Sequence, residues 1–182
     1  LSHFYVDDRA SGEPAKIDPA SLPQGEVACA TPSSSVFLVD LEAPPESARV
    51  PCRVRIHADS ARSEARPNLA VGPARGFLLA EGHRYATVVT SRVKDLQGRP
   101  LSASGAFEGI ESSTTREGKI VSDALTLVKA RLASALATDG AEIVAIAPYT
   151  THAMSGEFYE LREAVEKEPV PALKWDAESL AP

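Results

Sequence analysis

Residues 78–101 read LLAEGHRYATVVTSRVKDLQGRPL, and this stretch decides the fold. From Arg84 to Lys94 the side chains alternate between two sides, with Tyr85 and Val93 on the same one, which is the period of a β-strand. The strand pattern ends at residues 95–100, where Gly98 can take a positive φ angle in a turn. The stretch therefore predicts a long strand followed by a tight turn.

The beginning of this strand also predicts a corner of a β-sandwich. A Tyr near the start of the penultimate strand, here Tyr85, can turn its ring into the core and hydrogen-bond backbone a few residues upstream. Leu79 would pack beneath the ring, and Gly82 would allow the tight turn between them. The alternative is that Tyr85 only alternates inward on its strand. In both cases we expect these residues to hold the fold rather than to catalyse a reaction.

Other segments on either side carry β patterns too. Residues 36–41 form a continuous apolar run, which is typical of a buried strand. In residues 52–59 apolar and charged side chains alternate, as in a strand with one face on a core and the other in water. Residues 68–73 could hold a short strand, and residues 143–147, IVAIA, resemble a last one. With 14 prolines separating such segments, the chain predicts a mainly β, antiparallel sandwich of about seven strands.

Two segments change to the helical period. In the first, Ser122 is the expected N-cap, Gly140 is the stop, and an apolar stripe lies between them. The stripe consists of Leu125, Val128, Leu132 and Leu136. It has to be buried on the edge of the sandwich, on a following domain or on its own sheet. In the second segment, Ser155 can cap a C-terminal helix that Pro169 ends.

These patterns predict three parts of the chain. Residues 1–35 are an extended, proline-rich lead-in segment, and residues 36–152 form the sandwich with a helical insertion at about 102–141. Residues 153–182 form the C-terminal helix and a linker, with Trp175 as its anchor. Because the chain does not begin with Met, we expect that an N-terminal segment has been removed.

Composition excludes several classes of partner. The 182 residues carry a net charge of −6, which argues against a basic nucleic-acid-binding surface and a polybasic membrane anchor. No apolar run approaches the ~20 residues of a membrane span. Six basic side chains on two predicted strands form a stripe that we interpret as a solvated face, with a binding patch as the alternative. They are Arg53, Arg55, His57, Arg84, Arg92 and Lys94.

Residues 78–101 resemble the paired strands of bacterial immunoglobulin-like (Ig-like) modules in secreted proteins. In those modules a Tyr-x-Val-x-Val strand leads into an Asp-x-x-Gly-x-Pro turn, and a later strand ends in an aromatic residue and two threonines. Residues 148–151, PYTT, are similar to that last element, with Tyr149 in place of the more usual Phe. The segment between them, with its helix at 122–139, resembles an insertion in the N-terminal module of secreted bacterial lipase-like hydrolases.

The resemblance covers about residues 36–168. It implies an Ig-like antiparallel β-sandwich with an inserted α-helix and a C-terminal helix. It also implies that such a module precedes a hydrolase domain with the α/β-hydrolase fold in a longer polypeptide.

The chain itself offers no catalytic or metal-binding motif. A Gly-x-Ser-x-Gly is absent, and residues 101–105, LSASG, lack its first glycine. The histidines have no metal-ligand spacing, and Asp7 and Asp8 are interpreted as surface charge. They are His3, His57, His83 and His152. We therefore predict no catalytic residue, metal or cofactor here, and we expect the triad of a hydrolase parent beyond Pro182.

Cys29 and Cys52 are the remaining chemical feature. The resemblance to secreted modules, together with the many proline turns, implies one disulfide that joins the lead-in segment to the sandwich and contributes roughly 3 kcal/mol. Two buried free thiols are the alternative. Both interpretations give the pair a structural role, which it shares with Leu79, Gly82 and Tyr85.

We therefore predict a non-catalytic Ig-like accessory module of a secreted, periplasmic or cell-surface bacterial protein. Its partner would be a lipase- or esterase-like hydrolase domain, or another domain, of the same polypeptide. The alternative is an Ig-like adhesion or ligand-binding module that recognises its ligand through loops at one end of the sandwich. A small self-contained hydrolase ranks third, because no nucleophile and base share a recognisable spacing.

Overall fold

A computed structural model describes residues 2–5, 16–57 and 68–169. Within them the chain is mainly β, as predicted, and it has both the inserted helix and the C-terminal helix. The strands are β1 (Ser2–Tyr5), β2 (Val36–Asp40), β3 (Arg49–Val50), β4 (Cys52–His57), β5 (Asn68–Pro73), β6 (Arg84–Thr90) and β7 (Ile143–Thr150). The helices are α1 (Gly105–Glu108), α2 (Arg116–Ala137) and α3 (Ser155–Lys167). The predictions about Asp7, Asp8 and the linker with Trp175 lie outside the described residues.

The strands form two antiparallel sheets. Sheet 1 has the order β1-β5-β4, and sheet 2 has the order β3-β2-β6-β7. The chain passes from one sheet to the other at Pro51, because β3 pairs with β2 whereas β4 pairs with β5. Pro51 has no N–H to donate, which suits a position between two ladders.

The two sheets enclose a common apolar core, as in a β-sandwich. Its buried members include Leu69 and Val71 from sheet 1 and Val36, Leu38 and Val89 from sheet 2. The alternate residues of β2, Phe37 and Val39, are equally buried but belong to a second core on the outer face of sheet 2. Because β2 is covered on both faces, its sequence is continuously apolar instead of alternating.

Helix α2 covers the outer face of sheet 2. Val128 and Leu132 are fully buried there against the β2 and β6 side chains Phe37 and Val88. Of the three predicted places for the helical stripe, the structure therefore has the one on the helix's own sheet. The molecule has three layers in this region: sheet 1, sheet 2 and α2.

The start of α2 differs from the prediction. Its N-cap is Thr115, whose Oγ1 accepts a hydrogen bond from the N–H of Gly118, and not Ser122. The first turn carries exposed charged side chains, so the apolar pattern does not reveal it. Gly118 is needed there, since a Cβ atom would lie 1.9 Å from Ser113 Oγ.

The predicted strand of residues 84–94 is also shorter in the structure. Strand β6 ends at Thr90, whose backbone N–H and Oγ1 both donate to the carbonyl of Ser35. A turn follows, in which the N–H of Val93 donates to the Thr90 carbonyl. Lys94 then forms only an isolated bridge with Pro100.

The chain divides into two compact units, Leu1–Thr151 and His152–Pro182. In the second unit, α3 begins at Ser155 with Met154 as its N-cap, so Ser155 is the first helical residue and not the predicted cap. The apolar side chains Phe158, Leu161 and Val165 are each more than half exposed. Unit 1 contains all seven strands of the described residues.

Candidate functional site

Tyr85 forms a hydrogen-bonded corner at the start of β6. Its side chain is only 2% exposed, and its hydroxyl oxygen accepts a hydrogen bond of 3.0 Å from the backbone N–H of Ala80. Leu79 is partly buried against the same core, and Gly82 has φ +68° in the turn between them. The hydroxyl therefore ties the β5–β6 connection to the strand that follows it.

Tyr149 of β7 lies directly opposite Tyr85 in the ladder. The two rings stack with their centroids 6.0 Å apart. Burial, followed by the influence of Tyr85, raises the pKa of Tyr149 to about 12. Burial also raises the pKa of Tyr85, and the negative charge of Asp40 adds to this against the lowering effect of the Ala80 N–H. Both phenols are therefore neutral at physiological pH.

Asp40, at the end of β2, is the other buried polar group of the corner. Its Oδ1 accepts hydrogen bonds from the N–H groups of Glu42 and Ala43, and its Oδ2 lies 3.3 Å from His83 Nδ1. Burial raises the pKa of Asp40, but the hydrogen bonds from Glu42, His83 and Ala43 outweigh it, so the pKa is lower than normal. Asp40 is thus a carboxylate held by backbone and by one histidine.

The second ring nitrogen and the backbone N–H of His83 also have partners in this corner. Its Nε2 lies 3.9 Å from Glu42 Oε2, and its backbone N–H donates to Thr151 Oγ1 at 3.0 Å. The Thr151 hydroxyl in turn donates to the carbonyl of Ala80 at 2.6 Å. Both ring nitrogens of His83 therefore face carboxylates, and the nearby hydroxyl is bound to backbone. Thr151 belongs to the PYTT element of the sequence, whereas Asp40 was not predicted, because its partner His83 is 43 residues away in the chain.

The second predicted structural feature, the disulfide, is confirmed. Cys29 and Cys52 are bonded, with their Cα atoms 5.5 Å apart, and both are completely buried. Cys29 lies in the 3-10 turn Ala28–Ala30, and Cys52 is the first residue of β4. The N–H of Cys52 also donates to the carbonyl of Glu26. The bond therefore fixes the segment before β2 to the sandwich.

The predicted basic stripe is not a single solvated face. For Arg92 the prediction of a solvated side chain is wrong. The side chain is only 11% exposed, and its guanidinium binds Asp139 and three backbone carbonyls. Arg84 is exposed and pairs with Glu42. Arg92 was misassigned because strand alternation ends at Thr90, so its side chain no longer follows the pattern.

The sequence also predicts no metal site and no Gly-x-Ser-x-Gly nucleophile. Among the described residues, no three His, Cys, Asp or Glu side chains are grouped as metal ligands. His3 Nδ1 is hydrogen-bonded to Asn68 Oδ1 at 2.9 Å. Ser104, in the segment that lacks the Gly-x-Ser-x-Gly pattern, accepts a hydrogen bond from the Phe107 N–H and thereby caps α1.

Two pockets lie where α2 meets β7. The first, of about 350 Å³, is at the start of β7 and is lined by Phe107, Ile110, Leu125, Leu136 and Ile143, with Lys129 and acidic side chains around them. The second, of about 310 Å³, is at the end of β7. It is lined by Ile120, Asp123, Ala124, Pro148, Tyr149 and Thr150, among others. We call them the first and the second pocket.

These features define a class: a disulfide-linked, two-sheet β protein with a helical third layer. Comparisons with protein families, with curated proteins and with solved structures each found no match. Of the helices in the described ranges, none has both the length and the apolar character needed to cross a bilayer.

Proposed function

We propose that this chain is a non-catalytic Ig-like accessory module of a secreted or cell-envelope bacterial protein. The observation that carries the proposal is the tyrosine corner at the start of β6. In Ig-like sandwiches such a Tyr lies near the start of strand F. In the letters used for Ig strands, β6 is then strand F, β7 is strand G and β2 is strand C. These three strands are neighbours in sheet 2, as C, F and G are in one sheet of an Ig-like domain.

Sheet 1 supports the same assignment. Strands β1, β5 and β4 then correspond to B, E and D, in the order that Ig-like domains use. The helical layer α2 falls between F and G, where the resemblance to lipase-associated modules implies an insertion.

A non-catalytic role is supported by how the polar groups of the corner are used. A general base needs a ring nitrogen that can reach a nucleophile, and both nitrogens of His83 face carboxylates instead. The hydroxyls of Tyr85 and Thr151 bind backbone at Ala80. These groups stabilise the turn, and among the described residues at this end of the sandwich they do not form a nucleophile–base pair.

Export from the cytoplasm is supported by the Cys29–Cys52 disulfide, because such bonds persist mainly in oxidising compartments. A hydrolase domain of the same polypeptide is the proposed partner. The exposed apolar side chains of α3 support a neighbouring domain, since large apolar groups on a short helix gain stability when they are covered.

Two experiments test this proposal. Sequencing the parent gene beyond residue 182 should reveal a Gly-x-Ser-x-Gly between a strand and a helix, whereas tandem Ig-like repeats would favour an adhesion module instead. The purified chain should not hydrolyse p-nitrophenyl butyrate above the rate in buffer. Turnover that disappears in His83→Ala but persists in His152→Ala would overturn the non-catalytic assignment.

A further inference from the structure

Strand β7 has a free backbone edge. It is the last strand of sheet 2, and among the described residues it pairs only with β6. The N–H of Thr151 donates to the His83 carbonyl, so the odd-numbered residues from 145 to 151 bond to β6. The N–H and C=O groups of Ile146 and Thr150 therefore point away from β6, whereas Val144 is the extra residue of a β-bulge opposite Val89 and Thr90. Outside the β6–β7 ladder, no backbone hydrogen bond among the described residues uses the groups of Ile146 and Thr150.

This edge differs from the edges formed by β3 and β4. Strand β3 has two residues, and β4 carries Arg53 and Arg55, which are features that prevent further strand pairing. Strand β7 has eight residues, and none of them is charged. Pro148 stands at an outward position, where its missing N–H costs no bond to β6. The edge thus offers outward backbone donors at Ile146 and Thr150.

The two pockets lie beside this edge on one side of the sheet. Both are formed with α2, which covers the outer face of sheet 2. The first adjoins Ile143 and the second adjoins Pro148–Thr150, so they are about six residues apart along β7. Six residues of a strand span about 20 Å, and side chains an even number apart point to the same face. A strand added to β7 would thus direct two α2-facing side chains, six positions apart, towards the pockets.

The charges around the pockets favour a basic partner. Glu108, Glu111 and Glu142 line the first pocket together with Lys129, which pairs with Glu111, so the lining has an excess of two acidic side chains. Asp123 lines the second pocket together with Arg84, which pairs with Glu42 outside that lining. Edge-to-edge pairing of two copies would bring two acidic rims together, which like-charge repulsion disfavours.

We propose that β7 and the two pockets form a binding site for an extended, basic peptide segment of a partner protein. The segment adds a strand to sheet 2 through the outward backbone groups of Ile146 and Thr150. It places one apolar side chain in each pocket, and its backbone supplies affinity while the pockets supply selectivity. This inference does not require that the partner be a hydrolase.

The test uses the 182-residue chain and a synthetic library of capped heptapeptides. These carry Leu, Ile, Val or Phe at the first and last positions, Val or Thr at the third and fifth, and Lys or Thr between. We expect binders by fluorescence polarisation, and slower amide exchange at Ile146 and Thr150 when they bind. A matched library with the second apolar residue moved by one position, to the opposite face, should bind more weakly.

Two pairs of variants locate the site. Thr150→Pro removes an outward N–H and should weaken binding about fivefold, whereas Thr150→Val keeps that N–H and should bind normally. Ala103→Trp fills the first pocket and should weaken binding by at least about tenfold, while Ser102→Trp, at the adjacent exposed position, should not. Thermal unfolding of each variant establishes that it is folded.

Three results would overturn the proposal. One is a library without binders at millimolar concentration. Another is binding that leaves the amide exchange of Ile146 and Thr150 unchanged. The third is protection of these amides in the free protein together with a dimer in sedimentation, which would assign the edge to a second copy of the chain.

Discussion

We predict that Arg92→Met destabilises unit 1 by about 3 kcal/mol. The guanidinium has five N–H groups, and all five have acceptors. Two of them bind the carboxylate of Asp139, and the other three bind the carbonyls of Pro32, Ser34 and Ala135. One side chain therefore joins the segment before β2, the end of α2 and the residue stretch after β6.

The magnitude follows from the three carbonyls. Each carbonyl loses a charged donor, those of Ser34 and Ala135 at buried residues and that of Pro32 at an exposed one, and an average loss of about 1 kcal/mol gives the total of about 3 kcal/mol. Asp139 contributes a smaller share, because its side chain is 50% exposed and water screens the ion pair. Methionine keeps much of the length of the aliphatic stem, so the lost packing is small.

Urea unfolding followed by far-UV circular dichroism measures the effect, and the thermal midpoint should fall by about 6–12 °C. Arg84→Met, at the start of β6, is the matched control: Arg84 is 55% exposed, and its pair with Glu42 should contribute about 0.5 kcal/mol or less. Asp139→Asn should cost less than Arg92→Met. Equal losses for Arg92→Met and Arg84→Met would refute the reasoning, as would an Asp139→Asn variant as unstable as Arg92→Met.

The remaining predictions concern the corner, the disulfide and acid. Tyr85→Phe should cost about 1–2 kcal/mol in urea unfolding, because the Ala80 N–H loses its acceptor, whereas Tyr159→Phe on exposed α3 should change nothing. Because Cys29 and Cys52 are fully buried, dithiothreitol should reduce them only in denaturant; rapid labelling of both thiols after native reduction would contradict this. The folded-state pKa values of Asp40, Asp95 and Asp139 are lowered, so their stabilisation is complete above the unfolded pKa of about 3.9. It is lost as the pH falls through the folded pKa values, so urea midpoints should drop below about pH 4, and Asp40→Asn should flatten that drop.

Local patterns in the sequence were sufficient for much of sheet 2. Tyr85 and Gly82 lie within four residues of each other, and the corner they form depends on chain geometry over that short distance. The apolar run of β2 is equally local, because burial on both faces leaves no polar position between Val36 and Val39. The apolar stripe of α2 could also be predicted from local spacing, because Val128 and Leu132 lie on one face of the helix and that face is buried.

Features that depend on distant partners could not be predicted. In the sequence, Asp40 is only an aspartate at the end of a strand. The Glu42 N–H that it binds is close in the chain, but its contact with His83 depends on the fold. The sequence pattern places Arg92 on an exposed strand face, and only the fold brings it into contact with Asp139 at the end of α2. The free edge of β7 depends on strand order, which the alternation of side chains does not specify.

The layering limits where a partner can bind to sheet 2. Its inner face is packed on sheet 1, and its outer face is covered by α2, so neither offers a broad surface. Of its two edges, β3 has only two residues, and β7 is the longer one with outward donors. A module of this kind can therefore recruit another chain through sheet 2 mainly by extending it beyond β7. If the parent polypeptide has a hydrolase domain, a basic segment with two apolar residues six positions apart is the first feature to look for in its sequence.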